Sequence, residues 1–393
     1  MTIARPGVAP VLWPLVFGNF VIGTGVMLVP GTLNELSASL QVSVASAGQL
    51  ISAGALMMAV AAPLFAAVVA GWDRRRLLAL SLVWYSLLHV ACAMADSLAL
   101  LLPLRVLAVV SAAVFTPQAA ASVGLLVPIE QRGRAITFIF LGWSVASVVG
   151  MPIASFIGGT LGWRTAFLGV ALMSAIGAAW VWQRLPHGIR PPALSRAAWM
   201  QTVSSPALML CVAVTVLSAA GQFVLFSYLA PYWSHQLQVT PGQLSLLFGV
   251  FGLFGLLGNM LMMRYLGGLG PDRAVMLGLG GIAISLLLWP LGTTLVMAAL
   301  VSIPWALGCF SSNSVQQGRL VGIAPALASA SVALNTSALY VGQALGAAAG
   351  GLLIANDQFG ALSWAAFVGV VAAMGVSALA SRMSAAAREG RVA

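Results

Sequence analysis

The sequence predicts an all-α membrane protein: twelve transmembrane helices arranged as two pseudo-symmetric halves of six. Three observations carry that prediction. Of 393 residues, 61% are hydrophobic and only 6% are charged, a balance that a water-soluble domain cannot keep behind an ordinary polar surface. Apolar stretches of about 20 residues, the length that crosses a bilayer core, recur along the chain with short polar breaks. Finally, the basic turn after the second stretch, "AGWDRRRLLAL", has a counterpart after the eighth, "MRYLGGLGPDRAVML", which points to duplication of a six-helix unit.

In chain order the spans are predicted at 11–33, 45–70, 77–95, 98–125, 135–158 and 164–183, then at 206–231, 242–265, 274–291, 293–316, 326–353 and 360–381. The most polar interval, "RLPHGIRPPALSRAAWMQTVSSP", begins at residue 184. It divides the chain into an N-terminal bundle (1–183), a linker (184–205) and a C-terminal bundle (206–393). The first stretch is too long for a cleaved signal peptide and has no clear cleavage site, so it is expected to remain as the first span.

Net charge is +10, from seventeen arginines and no lysine. With a cytoplasmic N-terminus, all of them except Arg105 and Arg164 fall in cytoplasmic loops or termini, the asymmetry that orients a multi-pass protein. The basicity is therefore topology, and no nucleic-acid partner is expected. Cys92, Cys211 and Cys309 lie far apart in apolar segments, so neither a metal site nor a disulfide framework is expected. No phosphate-binding loop of the G-x-x-x-x-G-K-[ST] type occurs. No cofactor and no enzymatic constellation is expected.

Several stretches run against the apolar background. The fifth span, "GWSVASVVGMPIASFIGGTLGWR", contains Gly150, Pro152, Gly158 and Gly159, residues that weaken a helix interior. In lipid, small residues at helical spacing allow close backbone approach, which offsets that weakness, and Pro152 is expected to disturb the helix at its level. The eleventh span repeats Gly342, Gly346 and Gly350 every four residues, with Thr336, Tyr340 and Gln343 as an adjacent polar stripe. Arg105 stands inside the fourth span, where an unpaired charge is expensive and marks a functional site by default. His89 is the embedded histidine, and the first span offers Asn19 and Thr24 but no acid.

Taken together, "AGWDRRRLLAL", "LLPLRVLAVVSAA", "EQRGRAITFIF" and "VVGMPIASFIGG" followed by "LGWRTAF" resemble the major facilitator superfamily over essentially the whole chain, closest to its bacterial drug and sugar efflux branch. The resemblance implies alternating access of two six-helix halves around a central site, in the bacterial inner membrane with both termini cytoplasmic. It implies that Gly150, Pro152, Gly158 and Gly159 form the antiporter-motif helix between the halves. It also implies that Asp73 with Arg74, Arg75 and Arg76, echoed by Asp272 and Arg273, forms gating loops, and that Arg105 serves proton transfer or substrate. For the cavity the choice is Asn19, Arg105, Gln222, Phe226, Asn313, Tyr340 and Gln343, with Gln222, Phe226, Leu229 and Trp233 on one face of the seventh span. Arg105 and His89 are the proton-coupling candidates.

The expected activity is export of a small organic solute such as a drug, sugar or metabolite by proton antiport. The absence of an acidic cluster favours neutral or anionic solutes. A proton-independent facilitator or an uptake symporter of the same fold is the alternative, and a membrane sensor or enzyme is the reading from another class. The expected partners are the solute, the bilayer and protons, with the protein a monomer.

Overall fold

The computed structural model describes residues 9–69, 71–128, 131–190 and 196–389. Arg5, Glu130 and Arg391, which entered the charge pattern and motifs above, lie outside the described residues. Among the described residues twelve helices are long and apolar enough to cross a membrane: span 1 Pro10–Gly31, span 2 Val44–Phe65, span 3 Arg74–Ala93, span 4 Leu98–Val123, span 5 Ala135–Leu161 and span 6 Trp163–Arg184. Span 7 Pro206–Leu237, span 8 Pro241–Met262, span 9 Pro271–Leu291, span 10 Leu295–Ile323, span 11 Ala330–Ala355 and span 12 Ala361–Met383 follow. Two short helices, Leu33–Ser39 after span 1 and Arg196–Val203 before span 7, complete the major elements.

The polarity pattern is that of a protein dissolved in lipid. Leu64, Leu87, Leu172, Leu352 and Val368 are exposed, whereas Asn19, His89, Arg105, Gln316, Arg319 and Asn335 are buried. In hydrocarbon a polar group must find its partner inside the protein, so these polar side chains are held within a core that is itself mainly apolar, while the outer surface is apolar too.

Residues Met1–Ser43, Val60–Ala193 and Thr240–Gly249 form one compact unit. Its axis is the fit of span 5 onto span 1. A Cβ at Gly142 would collide with Val16 O, one at Gly150 with Thr24 Oγ1 and one at Gly158 with Thr32 Cγ2, while Gly23 faces Ala146 and Trp143. The Cβ positions of Gly150 and Gly158, two of the residues that weaken span 5, are thus filled by side chains from span 1 and the residue just after it, about two turns apart. Span 5 is also interrupted: a π-helical turn, Ala146–Gly150, separates Arg132–Val145 from Met151–Leu161. Pro152 has no N–H to give the carbonyl four residues earlier, that of Val148, which lies within that turn. Gly162, at φ 89°, reverses the chain into span 6 in a conformation that glycine adopts without strain.

The second unit consists of Val44–Ala59, Leu194–Val239 and Val250–Ala393. Here span 11 lies on span 7 through the three predicted glycines. Gly342 meets Val216 O and Ala219, Gly346 meets Ala220 O and Phe223, and Gly350 meets Val224 O and the Tyr228 ring. Gly221 approaches the backbone of span 12 at Ala366 to Val370, and Gly258 and Gly308 bring spans 8 and 9 against span 10. In this unit Gly48, near the start of span 2, faces the Tyr228 ring.

Two expectations need correction. Span 7 does not present Gln222, Phe226, Leu229 and Trp233 on one continuous face, because its helix ends at Phe226 and restarts at Leu229. Span 10 runs on to Ile323, so Arg319 is not a loop arginine: it lies inside the helix and is 2% exposed.

Candidate functional site

Arg105 is buried, and among the described residues no acid pairs with it. Its Nη2 donates to Gly25 O at 2.7 Å and to Val26 O at 3.4 Å, both on span 1, and Nη1 lies 3.4 Å from His89 Nε2. The sequence explains the acceptors. Pro30 stands four residues beyond Val26 inside the same helix, so the Val26 carbonyl has no helical N–H to receive and is free for the guanidinium. The partner of His89 Nδ1 is the Tyr85 carbonyl, 2.8 Å away. A carbonyl can only accept, so Nδ1 carries the proton and Nε2 offers its lone pair to Arg105. Tyr85 donates in turn to Ile22 O at 3.3 Å, and its ring meets that of His89 edge-on with centroids 4.1 Å apart. The two residues chosen for proton coupling therefore form one cluster between spans 1, 3 and 4, solvated by carbonyls in place of a counter-ion.

Asn19 belongs to a different network. It donates to Ile139 O at 3.1 Å and accepts from Thr116 Oγ1 at 2.8 Å, and Thr116 Oγ1 receives Trp143 Nε1 at 3.2 Å. It is fully buried and ties spans 1, 4 and 5 together; it has no bond to Arg105.

In the second unit a cavity of about 40 Å³ opens between spans 7, 9, 10 and 11, lined by Thr215, Ser218, Gln222, Ser312, Asn313 and Gln316 among others. Gln222 donates to Ser218 O and Oγ and accepts from Trp305 Nε1 at 2.9 Å. Gln316 Nε2 donates to Cys211 O at 2.6 Å. That bond fixes the orientation of the amide and leaves its Oε1, like Asn313 Oδ1, buried without a partner among the described residues. The volume suits two or three waters or one polar group of a larger solute. Of the predicted cavity residues, Gln222 and Asn313 meet here. Phe226 instead joins an aromatic cluster with Phe251 and Trp305, and Tyr340 and Gln343 are buried outside the residues that line this space. The lining residues Gln316 and Thr215 were missed, as were two residues that hold the lining in place, Trp305, which donates to Gln222, and Asn335, whose Oδ1 accepts from Thr215 Oγ1 at 2.5 Å. The polar side chains Gln316 and Asn335 inside apolar spans were a usable signal.

The two Asp-Arg loops, alike in sequence, are built differently. Asp73 caps span 3 by accepting Arg76 N at 3.2 Å, and its other oxygen accepts Gly188 N at 2.5 Å, just after span 6. Burial alone would raise its pKa, but the Gly188 and Arg76 amides and the His187 charge outweigh that and hold it below the ordinary 3.8. Arg74 donates to Val69 O and Trp72 O in the loop after span 2, and Arg75 lies over the Trp182 ring, 4.8 Å from its centroid. Arg76 and Arg273 are exposed. Asp272 contacts Arg319 Nε at 2.6 Å, an ion pair in place of a backbone cap. Arg319 also donates to Ser377 Oγ, Ser377 O and Ser381 Oγ on the last helix.

Sequence comparison decides the family. The profile described as Major Facilitator Superfamily matches residues 15–347. The chain belongs to the major facilitator superfamily. It is a transporter, not an enzyme. Among curated superfamily relatives, the inner membrane transport protein YdhP of Escherichia coli K12 is 29% identical over 87% of this chain and 88% of its own length. The purine ribonucleoside efflux pump NepI of Salmonella paratyphi B is 27% identical over 91% and 90%. A chloramphenicol resistance protein of Streptomyces lividans is 33% identical over 56% and 57%. The fold matches that of a D-xylose–proton symporter with a TM-score of 0.76 at 15% identity, covering 94% of this chain and 97% of that one.

Proposed function

We propose that this superfamily member exports a small, neutral or anionic organic solute by alternating access, with its linker face and both termini cytoplasmic. The helices before 184 and after 205 are the two moving halves, joined by the 184–205 linker. The arginine asymmetry supports the orientation, since a linker face rich in arginine remains inside during insertion. The observation that carries the export reading is span 5. Its Gly150, Pro152, Gly158 and Gly159 sit on a π-interrupted helix meshed with span 1, and π turns inside helices mark functional sites. The name of NepI, an efflux pump, supports the same direction of transport. Polar groups in the second unit, Gln222, Asn313 and Gln316, would take hydrogen bonds from the solute, and no acid stands among them to favour a cation.

Proton exchange would pass through the Arg105–His89 cluster. The carbonyl solvation of Arg105, with no embedded carboxylate beside it among the described residues, is the observation that favours a proton-independent facilitator as the second reading. Counterflow and gradient-driven flux in proteoliposomes, with purine ribonucleosides and chloramphenicol as first probes, tests both. Export requires movement from the linker face outward. Flux that ignores an imposed pH gradient selects the facilitator, and accumulation in the opposite direction overturns export.

A further inference from the structure

On the face opposite the linker, the helix Leu33–Ser39 carries a carboxylate with an unpartnered oxygen. Glu35 is half-buried, and its Oε2 is shut off from solvent without a hydrogen bond among the described residues. Its Oε1 lies 3.4 Å from the point where a Cβ on Gly159 would stand, and that point is 2.7 Å from Pro241 Cβ. Nearby, Ser245 Oγ donates to Pro152 O at 2.9 Å. The first turns of span 8 are thus laid on the second part of span 5, at a separation that only glycine at 159 permits, with Glu35 tucked beside the contact.

No positive group from these elements compensates it. Residues 151–161 of span 5 and residues 240–249 of span 8 contain no ionisable side chain, and Glu35 is the one ionisable residue of its own helix. Arg164, the arginine of this face, donates to Ser39 Oγ and Ala95 O and stacks on Trp163. Asp96 is exposed. An ionised carboxylate held there has one oxygen cut off from water and no counter-charge from these elements, which is costly.

We propose that Glu35 is a proton-binding residue of the outer face: protonated, it lies under the Gly159–Pro241 contact and that seam stays shut, and ionised, it recovers its water only when the seam parts. The chemistry is one proton taken from the outer solution onto a carboxylate oxygen, with no other bond changed. Burial pushes the Glu35 carboxyl up from its ordinary 4.5, against a smaller lowering by its own backbone amide. The sign follows: the shut state binds the proton more tightly than the parted state. The shut state is therefore favoured at low pH and loses ground as pH rises past 4.5 toward the raised value. In the export reading, on which only the role of the seam rests, outer protons would close this face after the solute has left.

The test uses the full chain in nanodiscs, with spin labels on Thr160→Cys and Gln243→Cys after replacement of Cys92, Cys211 and Cys309, and reads the distance distribution from about pH 4.5 to about pH 8.5, a window that brackets a raised carboxylate. A short-distance population that falls as pH rises is expected. Glu35→Gln should hold the short population at every pH, and Glu35→Asp should retain a pH response. A response that survives Glu35→Gln, or a parent protein with no response, overturns the proposal. No substrate is needed. A pH-dependent seam in a protein that moves no solute would leave Glu35 in this role and count against export, and transport with a pH-indifferent seam would do the reverse.

Discussion

Removing the Asp272 carboxylate should destabilise the protein more than removing the look-alike Asp73. In Asp272→Asn the Arg319 guanidinium, 2% exposed, loses its counter-ion while keeping its three contacts to Ser377 and Ser381. Breaking a buried pair from one side costs about 3–5 kcal/mol. Asp272 is 39% exposed, so water already screens part of the attraction, and about 2–3 kcal/mol remains. Arg319→Gln removes the stranded charge itself and leaves a carboxylate that water reaches, at about 1–2 kcal/mol. The double variant should fall short of the sum of the two by about 1–2 kcal/mol. Asp73→Asn, by contrast, weakens two backbone caps in a wet loop, at about 0.5–1 kcal/mol. Equilibrium unfolding in mixed dodecylmaltoside and sodium dodecyl sulfate micelles, followed by tryptophan fluorescence, measures all four. Additive single variants, or equal losses for Asp272→Asn and Asp73→Asn, would refute the assignment of Arg319 as a buried charge balanced by Asp272.

Other expectations concern packing, the linker and the arginine cluster. Gly346→Ala, whose Cβ would strike Ala220 O and stand 3.0 Å from Phe223 Cβ, should lose about 1–3 kcal/mol. Gly375→Ala, with nothing within 4 Å, should be neutral in the same unfolding assay. Because the Asp73 pKa is lowered, its tie to Gly188 should be fully present above pH 3.8 and weaken only as pH falls through the lowered value. Hydrogen exchange at Gly188 should therefore be slow at neutral pH and fast there in Asp73→Asn. Arg105→Met should abolish transport or change its selectivity. His89→Gln should remove a pH-gradient response if the cluster carries the proton, and unchanged gradient-driven flux in that variant would exclude His89 as carrier.

The twelve spans were legible because length and hydropathy suffice to find a helix that crosses lipid. The close fit of Gly342, Gly346 and Gly350 was legible because helical spacing places them on one face. Arg105 stood out for its cost, yet its partners did not: the Val26 carbonyl is available only because Pro30 lies one turn on, and it meets Arg105 from 79 residues away in sequence. Arg319 was mistaken for a loop residue because a charge normally ends an apolar window, and its neutralising Asp272 and serines come from spans 9 and 12. Asp73 and Asp272 share their local sequence, but their roles are set by what faces them, an amide after span 6 in one case and a guanidinium in the other. Gln316 and Asn335 were polar residues in apolar runs whose network with Cys211 O and Thr215 exists only after folding.

Solute flux against an imposed pH gradient, in vesicles with the linker face outward, tests the central claim most directly. An acid interior should drive accumulation of the transported solute inside these inverted vesicles, and collapsing the gradient should abolish it. Equal flux with and without the gradient, or accumulation driven only by an alkaline interior, would contradict proton-coupled export.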